Sequence, residues 1–128
     1  MEEGALISIY DPKVSNEQID RDLSPSEGMT NGHANKKRYQ VTKCPYEAAL
    51  KSHAIVVCTE WDEFKTYDYL RIYDGMEKPA FIFDGRKMMD HEQLEEIGFK
   101  VHSIGKNLDH KNNHLLIWNY VWYIYNLI

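Results

Sequence analysis

The chain has 128 residues, 43% of them hydrophobic, and a formal net charge of −5 from 15 basic and 20 acidic side chains. That suffices for one domain with a real core. The mild acidity argues against nucleic acid as a main partner, because the basic residues are scattered apart from Lys36-Lys37-Arg38. Cys44 and Cys58 give neither a disulfide framework nor metal-ligand spacing. With Met1 followed by two glutamates there is no signal-peptide pattern, so a reduced, cytoplasmic protein without a metal centre is expected.

In chain order, Ala5–Tyr10 reads as a strand stopped by Asp11-Pro12. From Asp20 to Lys37 the sequence is polar, holds Pro25, Gly28 and Gly32, and shows no periodicity, so a loop is expected. Tyr39–Thr42 is a short strand. Pro45 and Glu47 suit the first turn of a short helix after Cys44, which is placed to cap it. Ala54–Cys58 is a buried strand rich in β-branched residues, and Cys58 reads as a small buried hydrophobe. Asp62 is placed to cap a helix in which Phe64, Tyr67, Leu70, Tyr73 and Met76 form an apolar face, ended by Gly75 and Pro79. Phe81–Phe83 is the next strand. Asp90 and Gly98 bound another helix, with Gln93 placed as in a capping box. Phe99–Ile104 alternates as an edge strand should.

This order predicts an α/β fold, a Rossmann-like, doubly wound and mostly parallel sheet. No Gly-x-Gly-x-x-Gly is present, and no strand precedes Ala5. Met1–Gly4 reads like the tail of a helix with its C-cap glycine. The sheet is therefore expected to lack its first, central strand. Leu115–Ile128 is almost wholly apolar and aromatic, shorter than the roughly 20 residues of a membrane span. It suits a strand or an interface, or stands outside the fold; the last of these is the expectation taken here.

The most informative stretch is Phe81-Ile82-Phe83-Asp84-Gly85-Arg86. An acid, a glycine and a cation follow a buried strand at its carboxyl end, where open α/β sheets bind ligands. The arginine fork suits phosphate or carboxylate oxygens, and Gly85 permits close approach or a tight turn. Taken alone, the same three residues also make an ordinary surface turn.

Neighbouring segments extend this reading. Ile9–Val14, Pro45–Ala48, His53–Phe64 with Thr59-Glu60-Trp61, Lys78–Arg86 and Ile97–Phe99 together resemble the UDP-glucose 6-dehydrogenases, in their C-terminal, UDP-binding domain. The resemblance covers residues 1–106, leaving 107–128 as a divergent aromatic tail. It implies a family that oxidises UDP-glucose twice with NAD, through a cysteine thiohemiacetal, to UDP-glucuronate. It implies substrate contact by Arg86, supported by Asp84 and Gly85, with Thr59, Glu60 and Trp61 beside the same crevice. The chain is therefore expected to be a fragment or short isoform of such a dehydrogenase. The alternative is a non-catalytic interaction protein that associates with full-length dehydrogenase subunits and alters their assembly, with the apolar tail as its adhesive element.

The departures bear on activity. No NAD-binding fingerprint, nucleophilic-cysteine motif or catalytic-lysine segment is recognisable, so no catalytic residue is assigned and the chain is expected not to catalyse alone. Asp11 could be a ribose-binding acid, but an Asp-Pro turn explains it more simply. His110 and His114 share helical spacing without the glutamate of a zinc-protease motif. Tyr67, Tyr69 and Tyr73 suit packing better than base stacking.

Overall fold

The computed structural model describes residues 5–23 and 39–103 in full and residues 122–126 as backbone. Six strands form one sheet: β1 (Leu6–Tyr10), β2 (Tyr39–Val41), β3 (Ala54–Val57), β4 (Phe81–Asp84), β5 (Lys100–Ser103) and β6 (Trp122–Asn126). Their spatial order is β2-β1-β6-β3-β4-β5. The pairs β1–β2, β3–β4 and β4–β5 are parallel, whereas β6 runs antiparallel to both β1 and β3.

Helices pack on both faces, as a doubly wound sheet requires. On one face α1 (Asn16–Leu23) sets Ile19 against Ile7 and Ile9 of β1. The other carries α2 (Pro45–Ala49), α3 (Tyr69–Gly75) and α4 (His91–Ile97). Their Ala48, Ala49, Ile72 and Leu94 close over Ile55, Val57 and Ile82 of the central strands. Ile55, Val57, Ile82 and Phe64 are wholly buried. Each such side chain contributes about 1.5–3 kcal/mol relative to exposure.

The aromatic residues on this face pack as the sequence suggests. Tyr69 and Tyr73 set their ring edges on Phe99, while Tyr67 meets Tyr10, Tyr46 and Phe64. The Tyr69 hydroxyl donates to the Phe64 carbonyl at 2.6 Å. Burial, followed by the neighbouring Asp84 charge, raises its pKa.

Four expectations are corrected. Residues 20–23 are helical: α1 is a short amphipathic helix whose buried stripe is little more than Ile19 and Leu23, too few apolar positions to stand out. The single helix expected from Asp62 is two pieces, a 3-10 helix at Asp62–Thr66 and then α3. Asp68 restarts the chain, its carboxylate accepting from Arg71 N at 3.1 Å as an N-cap. This shifts the register, so Tyr69 and Ile72 are buried and Leu70 is 57% exposed. Cys58 is only half-buried, and Cys44 occupies the N-cap of α2 without a side-chain capping bond.

The fourth correction concerns the tail. The chain reading sets it outside the fold, yet Trp122–Asn126 pairs with Leu6–Tyr10 on one side and with Ala54–Val56 on the other. This is the central position for which the sequence offers no parallel strand. The facing edges of β1 and β3 would otherwise leave buried N–H and C=O groups unpaired, at about 1–3 kcal/mol each. A run of aromatic and β-branched residues has the propensity to fill such a slot. Lys36-Lys37-Arg38, His110 and His114 lie outside the described residues.

Candidate functional site

The parallel strands β1, β3 and β4 end at the same edge of the sheet, and short polar contacts lash these ends together. At the end of β4, Gly85 N donates to the Val57 carbonyl of β3 at 3.0 Å. A Cβ on residue 85 would lie 2.8 Å from that carbonyl oxygen, so the two strand ends can approach this closely only at a glycine. The constraint on Gly85 therefore comes from the neighbouring strand.

Asp84 has no exposed surface. Its Oδ1 accepts from Arg86 N at 3.2 Å, and its Oδ2 accepts from Met89 N at 3.0 Å and from His91 Nε2 at 2.8 Å. A carboxylate only accepts, so His91 Nε2 carries the hydrogen. Burial by itself would raise the pKa of this carboxyl. The amide of Met89, the His91 ring and the amides of Arg86 and Met88 outweigh burial, and the net shift is downward. The result is an ionised, fully engaged carboxylate that folds the turn back on itself and fixes the backbone at Arg86. Lys87 follows with φ 54°, a left-handed conformation at the turn's crown.

Arg86 itself is half-exposed. Its Nε lies 3.3 Å from Glu60 Oε1, beyond the end of β3. Among the described residues its two terminal nitrogens have no hydrogen-bond partner. Thr59 is buried, and its Oγ1 has no partner among the described residues. Trp61 turns to the other side, where Nε1 donates to Asp11 Oδ2 at 3.1 Å. That bond joins the ends of β1 and β3 across the start of β6, which separates these strands in the sheet.

The expected site residues thus fall into two groups. Asp84, Gly85, Arg86 and Glu60 form one unit at the ends of β3 and β4. Trp61 belongs with Asp11 at the switch between the two halves of the sheet, and Thr59 directly precedes Glu60 and Trp61 at the end of β3. His91 was not singled out from the sequence. The signal for it was a buried acid in need of donors, seven positions before a histidine at a helix start.

A separate open cleft of about 380 Å³ lies at the ends of β1 and β2, lined by Asp11, Ser15, Glu17, Thr42, Lys43 and Glu63 among others. None of the six expected site residues lines it. Three carboxylates against one lysine make it a poor seat for phosphate.

The described residues do not fit a nicotinamide dinucleotide. A ribose-binding acid needs open carboxylate oxygens, but Asp11 Oδ1 accepts from Lys13 N and Val14 N at 2.7 and 3.0 Å and its Oδ2 is held by Trp61. The central strand β6 is antiparallel, so it cannot lead a phosphate-binding helix out of this edge as the parallel strand of a dinucleotide fold does. No group of three or more His, Cys, Asp or Glu among the described residues could hold a metal ion. No described helix is long and apolar enough to cross a membrane.

This is a doubly wound α/β domain built on one six-stranded, mostly parallel sheet. The chain belongs to the UDP-glucose/GDP-mannose dehydrogenase family: residues 1–91 match the family's UDP binding domain. It is 53% identical over 106 residues to UDP-glucose 6-dehydrogenase of Drosophila melanogaster, covering 83% of this chain and 22% of the relative. UDP-glucose 6-dehydrogenase 4 of Arabidopsis thaliana is 52% identical over 113 residues, 82% of this chain and 24% of the relative. The rat (Rattus norvegicus) UDP-glucose 6-dehydrogenase is 50% identical over 113 residues, 87% and 23% respectively. The chain therefore spans less than a quarter of the length of these curated relatives.

Proposed function

We propose that this chain supplies the UDP-sugar-contacting domain of a UDP-glucose dehydrogenase, with Arg86 as the direct contact. The observation that carries this reading is the Arg86 guanidinium, half-exposed beyond the end of β4, ion-paired to Glu60 at Nε and with no hydrogen bond from its terminal nitrogens among the described residues. A planar pair of N–H groups in that position matches two oxygens of a phosphate. Asp84 and Gly85 act by fixing the turn, the first through its hydrogen bonds and the second through its approach to Val57. Thr59, Glu60 and Trp61 line the neighbouring strand end.

The proposed ligands are UDP-glucose and UDP-glucuronate, bound by a region covering residues 1–106. Oxidation with NAD is a reaction of a longer assembly, because hydride transfer needs cofactor, thiol and base in one geometry. The chain alone is expected to be inactive. Its setting is cytoplasmic, where Cys44 and Cys58 stay reduced. A role as a non-catalytic modulator of full-length subunits would use the aromatic tail as its adhesive element. The pairing of Trp122–Asn126 inside the sheet speaks against that second reading.

Calorimetric titration of the purified chain with UDP-glucose tests the proposal. Weak binding is expected for the native chain, with Arg86→Ala reducing the affinity at least about tenfold, as loss of a charge-assisted contact of about 1.5–3 kcal/mol implies. Equal affinity of the two proteins would reject Arg86 as the contact. Turnover of NAD by the isolated chain with UDP-glucose would reject its dependence on a longer assembly.

A further inference from the structure

We propose that Glu60 positions Arg86 and tempers its charge, so that the anion affinity of the crevice is set by the pair and not by the arginine alone. This inference rests on the reading of Arg86 as the UDP-sugar contact. It assigns Glu60 a role that contact alone does not.

The backbone at Arg86 has little freedom. Its own N–H is tied to Asp84, the preceding Gly85 N–H is tied to β3, and no side chain fits at residue 85. What remains adjustable is the arginine side chain, a long chain of rotatable bonds with about 2 kcal/mol of rotamer entropy. Glu60 Oε1 forms an ion pair with that side chain, 3.3 Å from Nε. Among the described residues the two terminal nitrogens make no hydrogen bond, so a pairing at Nε leaves them for the two oxygens of a phosphate. The same glutamate places a negative charge within a few ångströms of any anion bound by that fork. Its two effects therefore oppose one another: orientation helps binding and charge hinders it.

The side chains of Arg86 and Glu60 are 47% and 58% exposed, so solvent screens the charge. The expected effect is about two- to fivefold in affinity, the range measured for exposed ion pairs. Partial exposure also means that substitution at residue 60 should leave the fold intact.

The two effects separate in two variants of the full chain, titrated with UDP at low and at physiological salt. Glu60→Gln keeps an oxygen that can accept from Nε and removes the charge. It is expected to bind UDP about two- to fivefold more tightly, with the gain shrinking as salt rises. Glu60→Ala removes both the charge and the anchor, and its gain is expected to be smaller than that of Glu60→Gln. Unchanged or weaker binding by Glu60→Gln overturns the charge role, and an equal gain in both variants overturns the positioning role. Arg86→Met is measured alongside. If it binds UDP as well as the native chain, the reading of Arg86 fails first. If it loses UDP while Glu60→Gln shows no gain, only the role of Glu60 fails.

Discussion

Replacing Asp84 by asparagine keeps the side chain's shape and removes the charge that three donors converge on. The amide group can offer one oxygen. If that oxygen takes the Oδ2 place, Met89 N and His91 Nε2 keep weakened partners, while an NH2 group faces Arg86 N, donor against donor. A hydrogen bond to a charged group is worth about 1.5–3 kcal/mol. Loss of one and weakening of the others gives a cost of about 2–4 kcal/mol, a large share of a typical total of about 5–15 kcal/mol. For a chain of this length that is roughly 7–15 °C in Tm.

The pH dependence separates the charge from the packing. The Asp84 pKa is depressed in the folded state. Its contribution is therefore fully present above the unfolded value of about 3.9 and is lost as pH falls through the lower folded value. Thermal melts followed by circular dichroism, from pH 7 down in steps, are expected to show a constant gap between native chain and Asp84→Asn above about pH 5. Below about pH 4 that gap should narrow. A gap that stays the same width into acid, or an Asp84→Asn protein as stable as the native one at pH 7, would refute the account of Asp84 as an ionised knot.

Two further perturbations test the frame around the site. Gly85→Ala places a Cβ 2.8 Å from the Val57 carbonyl oxygen, a backbone atom that cannot swing aside; a loss of about 1–3 kcal/mol in urea denaturation is expected, and an unchanged midpoint would show that the strand ends part easily. Ile124→Pro removes an N–H from β6, whose residue 124 lies opposite both Ser8 and Ile55; a loss of about 1–3 kcal/mol is expected from the ladder carbonyl left unpaired, with faster hydrogen exchange at β1 and β3, and unaltered exchange there would remove β6 from the sheet in solution.

The parts of the fold that local chemistry dictates were legible in the chain. The apolar runs of β3 and β4 leave no alternative to burial. Asp90 accepts from Gln93 N at 3.1 Å, and Gly98 takes φ 127°, so α4 begins and ends where its caps stand. The break before α3 was not legible, because Asp62 and Asp68 are both competent caps and only packing chooses the register. Helix α1 was hidden by its polar composition. At the site, the turn residues 84–86 stood out, but their partners did not: Glu60 reaches Arg86 from 26 positions away and Asp11 reaches Trp61 from 50. Such pairings depend on which strands are neighbours, and strand order is not a local property of sequence. The place of β6 is the extreme case, since its own residues carry no mark of the two strands it separates.

That placement has a consequence for how the chain reaches its native state. The wing made of β1 and β2 and the wing made of β3, β4 and β5 share no direct ladder; each meets the other in the sheet through β6. On the ribosome both wings emerge before the strand that joins them, and 19 positions separate Ser103 from Trp122. At about 5–20 residues per second that is an interval of roughly 1–4 s in which both inner edges stand open. Joining residues so far apart in sequence is also slow. Strand-capping by a chaperone, or pairing with the open edge of another nascent chain, competes with β6 during that interval, so the yield of folded protein is set by a race and not only by the stability of the finished sheet.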